Sequence, residues 1–302
     1  MIYINGKEEI VLKKIKKIFG EIDLTWIKLI IFAVISGIYT AIMALLPVFK
    51  DTSFHDIVVT FEVWILFGII IIMNSKSALD SALKCFIFFL ISQPLVYLIQ
   101  VPFNNWGFGI FNNYKYWFIW TILTIPMGFI GYYIKKDKWW GILILVSMLL
   151  LLGSGSYYFY LRETLFDFPY HLLTTIFCLI TMLLYPLCVF NNKKNKIISF
   201  IISALIIIFL TILAFTNRKV YNATLLSSGS IENVTFNENY NVYLEKDLGE
   251  VYIRYEEGME DYLIEGNFKK TGKTNLILTD ENENKTVFEL NIGNNTFDLN
   301  KK

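Results

Sequence analysis

The chain reads as a membrane bundle of seven transmembrane helices followed by a small C-terminal all-β domain of antiparallel sandwich or meander type. Three observations predict this. Seven long apolar runs fall between residues 25 and 217, residues 218–302 contain none, and lysines crowd alternate connections between the runs. The composition agrees: 55% of residues are hydrophobic and mean hydropathy is +0.50, above the roughly 45–50% apolar content of soluble domains.

A span needs about 20 apolar residues to cross roughly 30 Å of hydrocarbon. Backbone polar groups in lipid must be satisfied within the segment, so each run is predicted as a helix. The expected helices are 26–48, 57–75, 81–101, 116–134, 139–160, 169–190 and 197–216. Ahead of them, residues 1–24 form a tail in which 8–19 (EEIVLKKIKKIF) reads as a basic amphipathic helix. Its Val11, Ile15, Ile18 and Ile22 share one face and its lysines the other, as expected at an anionic membrane surface. The first apolar run is too long for a cleavable signal and is predicted to stay as an anchor.

Alternate connections carry Lys7, Lys13, Lys14, Lys16 and Lys17; Lys76; Lys135, Lys136 and Lys138; and Lys193, Lys194 and Lys196. The opposite ones hold only Lys50, Lys115 and Arg162. The positive-inside bias places the first set in the cytoplasm. Seven crossings then put residues 218–302 outside, in a cytoplasmic membrane of multi-pass type. Richness in Lys, Ile and Asn suggests a bacterial source. Trp26, Trp139 and Trp140 at one interface, and Trp106, Trp117 and Trp120 at the other, form the expected aromatic belts. Loop 102–115 is read as a structured surface loop, and Pro94 and Pro126 as kinks.

Residues 218–302 lack proline, tryptophan, histidine and cysteine, and carry a net charge of −5. Strand-like alternation occurs at 241–245, 250–256, 262–268, 275–279, 286–292 and 296–299, separated by polar turns. Tyr243, Tyr252, Tyr255 and Tyr262 are expected to fill the small core. The acidic turns (Glu256, Glu257, Glu260, Asp261; Asp280, Glu281, Glu283) read as solvated. No basic patch marks a nucleic-acid footprint.

The sharpest pattern is in the sixth span. Asp167, His171, Thr174, Cys178, Thr181, Tyr185 and Cys188 recur at alternating spacings of four and three, one stripe of a helix, with leucines opposite. Such a stripe serves close packing between membrane helices or lines a site. Trp117, Thr121, Thr124, Gly128 and Gly131 repeat the idea in the fourth span and read as packing. Glu62 lies inside the second span, where an ionisable group is a functional-site hypothesis by default. Asp51, His55, Asp56, Arg162, Glu163 and Asp167 occupy the adjoining loops.

The candidate binding set is therefore Glu62, His171, Asp167, Thr174, Cys178, Arg162 and His55. Three readings are open: an ion pair holding helices in register, a metal site, or a headgroup or proton site. With two histidines in the whole chain, no metal, cofactor or catalytic set is predicted. A retinal-type lysine is missing from the last span, and three histidines for a membrane zinc hydrolase are missing from the chain. Gly153-Ser154-Gly155-Ser156 lacks the Gly-x-Ser-Gly order of intramembrane serine proteases.

The functional expectation is a non-enzymatic membrane protein, partnered by the lipid bilayer. It presents its acidic β-domain to an envelope protein or a cell-wall polymer. The alternatives are a transporter or lipid-handling protein with an outer-leaflet site between the second and sixth spans, and a membrane-embedded hydrolase using His171.

Overall fold

A computed structural model describes residues 17–59, 61–231 and 234–302. The amphipathic helix expected over 8–19 lies almost wholly outside the described residues. The chain divides into two compact units: Met1–Tyr160 with Leu172–Ile212, and Leu161–His171 with Leu213–Lys302.

The first unit is helical. Helix α1 (Trp26–Leu45) starts at Thr25, whose side chain accepts a hydrogen bond from the Lys28 amide, satisfying one of the donors a helix start leaves open. Helices α2 (Ser53–Val59) and α3 (Phe61–Met73) follow, their axes bent by 44°. Ser77 caps α4 (Ala78–Gln100) in the same way. Next come α5 (Phe111–Gly131), α6 (Trp139–Leu152), α7 (Tyr158–Phe166), α8 (Leu172–Val189) and α9 (Lys193–Thr216). Gly153–Tyr157 forms a π-helical turn that joins α6 to α7, so one helical stretch runs from Trp139 to Phe166.

Among the described residues, six helical stretches are long and apolar enough to cross a membrane, and the bent α2–α3 pair makes a seventh if it counts as one span. This is compatible with a multi-pass membrane protein. Wide apolar exposure agrees: Ile27, Ile35, Leu205 and Phe209 are 72, 60, 60 and 62% exposed, a surface that water tolerates poorly. Close approach of α5 to α4 depends on Gly128. A Cβ there would sit 3.0 Å from both the Ala82 Cα and the Ser81 carbonyl oxygen.

Several sequence expectations need correction. The 102–115 segment is largely helical: Val101–Phe103 and Gly107–Ile110 are 3₁₀ turns and α5 already begins at Phe111. His55 and Asp56 lie in α2, and Arg162 and Glu163 in α7, rather than in loops. Polar residues at span ends look like loop in a hydropathy profile, yet a helix continues wherever its hydrogen bonds remain the best available. Asp167 and His171 precede α8, so the helical stripe starts at Thr174. A cis peptide joins Phe168 to Pro169 in that linker.

The second unit is a two-sheet antiparallel structure. Strands β1 (Tyr221–Ser227), β3 (Gly249–Glu256) and β4 (Asp261–Phe268) form one sheet in the order β1-β4-β3. Strands β2 (Asn241–Leu244), β5 (Gly272–Thr279), β6 (Lys285–Ile292) and β7 (Phe297–Lys301) form the other in the order β2-β5-β6-β7. Six strands match the expected segments and β1 is an addition. The core is aliphatic and phenylalanine-rich: Leu225, Ile264, Phe268, Leu276, Phe288, Leu290 and Ile292 are buried. Tyr243, Tyr252 and Tyr255 do not join it. They are 42, 40 and 48% exposed, because the alternate strand positions bring Leu, Ile and Phe inward. Of the four, Tyr262 packs against this core, as do Tyr221 and Tyr240.

The β5–β6 turn is organised by Asp280. Its Oδ1 accepts from the amides of Asn282 (2.9 Å) and Asn284 (2.8 Å), and its Oδ2 from the Asn284 side chain (2.9 Å). These donors, the Asn284 side chain foremost, hold the Asp280 carboxyl below its ordinary range. A depressed folded value means that the stabilisation is present above the unfolded pKa and is lost as pH falls through the folded one. Acid titration is expected to open the β5–β6 hairpin below about pH 4. Asp280→Ala should remove that acid step from the amide-exchange protection of residues 276–288.

Candidate functional site

The first unit brings five of its polar side chains together where α2 and α3 meet α8. On α8, Thr174 and Cys178 are one turn apart and both fully buried. The Thr174 amide donates to Ser53 Oγ (3.2 Å) and its hydroxyl donates to Asp56 Oδ2 (3.2 Å). The Cys178 thiol donates to Glu62 Oε1 at 3.7 Å. Asp56 is 7% exposed and Glu62 1% exposed. The α8 stripe thus meets both halves of the bent pair, Asp56 on α2 and Glu62 on α3.

The arrangement is a close helix contact. Small and hydroxyl residues let the helices approach, and the carboxylates receive donors they need in an apolar interior. Thr181, Tyr185 and Cys188 continue the buried stripe. Glu62→Ala is expected to destabilise the helical unit by about 1–3 kcal/mol through lost contacts and an unmatched thiol, whereas Glu62→Gln keeps an acceptor and costs less. Denaturant unfolding of the full-length protein in detergent checks the order of the two variants.

The remaining predicted residues stand elsewhere. His55 is on α2, half-buried. Arg162, Asp167 and His171 belong to the second unit. There Asp167 Oδ1 accepts from the Thr271 hydroxyl (2.8 Å), and the Thr271 amide donates to the Phe166 carbonyl (3.0 Å). Glu163 pairs with Lys219 at 2.7 Å, and the Lys219 ammonium lies 5.0 Å from the Phe166 ring centre. Glu163 and Asp167 therefore tie residues 161–171 to the β-strand unit. Among the described residues, no three His, Cys, Asp or Glu side chains group closely enough to hold a metal ion.

Sequence reading missed a buried ion pair. Lys84, 2% exposed, lies 2.8 Å from Asp80 one turn earlier on α4 and 5.8 Å from the Trp26 ring centre. Nearby, Lys135 Nζ donates to the Ser75 carbonyl (2.6 Å) and the Tyr132 hydroxyl donates to the Lys76 carbonyl (2.8 Å). The i, i+4 spacing of Asp80 and Lys84 was a legible signal.

The outer face of the three-stranded sheet carries a different set. Tyr252 donates to Glu265 Oε2 (2.8 Å), and Arg254 bridges Glu265 (2.8 Å) and Glu256 (2.6 Å). Lys269 pairs with Glu250 (2.7 Å). The lysine holds the Glu250 carboxyl below its ordinary range, and the hydrogen bond to Glu265 raises the Tyr252 phenol. Antiparallel register sets Tyr252 opposite Glu265 and Glu250 opposite Asn267, and Thr224 on β1 completes the row beside Glu265. Compared with known protein families, curated proteins and solved structures, the chain matches none.

Proposed function

We propose that this chain is a non-enzymatic membrane protein whose helices anchor a β-sandwich for binding. The observation that carries the reading is the solvent-facing row Thr224, Glu265, Tyr252 and Arg254 on a sheet whose other face packs the core. Tyrosine and arginine are the residue types that dominate binding energy at protein surfaces. Here they are held in place by hydrogen bonds before any partner arrives, which lowers the ordering cost of binding. The buried Glu62–Cys178 and Asp56–Thr174 contacts support a structural role for the helical unit.

In this reading the bent α2–α3 pair crosses the membrane as one span. The lysine bias then keeps the N-terminus in the cytoplasm and the sandwich outside. A bacterial envelope offers two partner classes, a protein or the cell-wall polymer. The test uses the full-length protein in nanodiscs, mixed with isolated cell-wall material, and cross-linking on intact cells. Tyr252→Ala with Arg254→Ala is expected to weaken retention at least tenfold, since a hot-spot residue contributes more than about 1 kcal/mol. Retention that is absent, or unchanged in the double variant, sinks the proposal.

A second reading is favoured by the two carboxylates flanking the bend. Discontinuous helices in transporters place binding groups at their break, so Asp56 and Glu62 with Thr174 and Cys178 would hold a proton or small cation. Glu62→Gln then abolishes a flux while the protein still folds. An unchanged flux leaves the packing role alone.

A further inference from the structure

The helical unit holds a crevice of about 590 Å³ between α3, α4, α5 and α6, lined almost wholly by apolar side chains. Its volume falls within the roughly 300–1,000 Å³ range of ligand pockets. It is tall: along α3 the lining runs from Phe61 to Met73, about 18 Å at 1.5 Å per residue. Phe61, Trp117 and Trp120 cluster at one end, with ring centres 5.0 and 5.1 Å from Phe61.

One side chain in the lining has no use within the fold. Gln93, on α4, is 4% exposed and faces the crevice. Among the described residues its carboxamide has no hydrogen-bond partner. The two hydroxyls in the lining are already engaged: the Thr124 hydroxyl donates to the Thr121 carbonyl (2.6 Å) and the Ser147 hydroxyl to the Leu143 carbonyl (3.0 Å). A carboxamide that lines an apolar crevice and has no partner is costly in a medium that offers none, so its presence points to an occupant that brings a carbonyl or hydroxyl.

We propose that the crevice binds one acyl chain of a phospholipid, with the ester carbonyl accepting a hydrogen bond from the Gln93 carboxamide. A compact ring system leaves the lower half empty. A hydrocarbon chain matches both the height and the apolar wall, and the aromatic end suits the region where chain meets headgroup. This site stands apart from the sandwich face proposed above, and its test does not depend on that reading.

The experiment uses the full-length protein in lipid vesicles with a phosphatidylglycerol carrying a diazirine near the end of one acyl chain, followed by peptide mapping of the photoproducts. Labelling of peptides from α3, α5 and α6 is expected to saturate at low probe fraction. Labelling of the lipid-facing positions Ile201, Leu205 and Ile208 on α9 should rise in proportion to the probe. Gly68 lines the crevice, and a Cβ there meets nothing within 4 Å, so Gly68→Phe fills the space. It should cut the saturable labelling at least tenfold and leave α9 labelling unchanged. Gln93→Leu keeps the volume and removes the hydrogen bond, for an expected loss of about fivefold. If Gly68→Phe does not fold, Gln93→Leu decides. Crevice labelling that never saturates, or that ignores whichever variants fold, means ordinary solvating lipid and overturns the proposal.

Discussion

Phe268→Ala should open the β-strand unit, at a cost of about 3–5 kcal/mol for truncating a fully buried phenylalanine. The ring is fully buried in the core with Ile264, Leu276 and Phe288. It also lies over Gly266: a Cβ built on that glycine would come within 2.4 Å of the Phe268 Cζ. The ring thus covers the gap the glycine leaves on the same face of β4, as aromatic side chains do beside strand glycines. Removing it creates a cavity and uncovers the strand at once. Tyr221, 6.2 Å away between ring centres, is too far to collapse into the hole without moving β1. Amide exchange on the full-length protein checks this. Peptides from β4 and β6 should lose protection, while those from α4 and α8 keep theirs. Unchanged protection in β4 would mean that the core does not depend on this ring.

Gly249→Ala should produce a loss of about 3 kcal/mol, at the upper end of overpacking effects. Gly249 opens β3 opposite Phe268. A Cβ at Gly249 would stand 2.3 Å from the Asn267 carbonyl oxygen and 2.7 Å from the Phe268 Cα. Those are backbone atoms of the central strand, so no side-chain rotation relieves the clash. Strand β3 must shift along its whole pairing with β4, and Tyr252 and Arg254 ride on it. The expected result is lower protection of residues 249–268 and, if the proposed binding role holds, weaker retention on cell-wall material. A folded Gly249→Ala protein with wild-type protection would show that β3 moves more easily than this register implies.

These two residues illustrate what local sequence could and could not reveal. Alternation marked 262–268 and 286–292 as strands, because inward and outward positions differ by a single step and a buried face demands apolar residues at every second one. The same rule did not say which tyrosines face out. Tyr252 has apolar neighbours on both sides, Val251 and Ile253, and only the pairing with β4 gives it its Glu265 partner. β1 escaped notice because YNATLLS mixes polar and apolar residues irregularly, and its register shifts between Thr224 and Leu226, which breaks the period of two.

The helical unit shows the same division. Apolar length located the helices long enough to cross a membrane, since hydrocarbon thickness sets how many residues a crossing needs. The stripe from Thr174 to Cys188 was legible because a helix repeats its faces every three or four residues. Its partners were not. Ser53 and Asp56 stand more than a hundred positions away in sequence from Thr174, and nothing in a hydropathy profile pairs them. Asp167 and His171 share the spacing of the stripe, but the chain leaves the helix before Leu172, so the period runs on in sequence where the geometry stops.

The amino-acid order alone determined a run of long apolar helices, an antiparallel β tail and the position of their junction, because each follows from the local balance of burial and backbone hydrogen bonding. Tertiary structure alone decided that Glu62 and Asp56 are held in a close contact with α8, that Asp167 serves Thr271, and that Gln93 faces an open apolar crevice. These outcomes depend on which distant surfaces meet, and the free energy of such contacts belongs to pairs of segments that no single stretch of sequence contains.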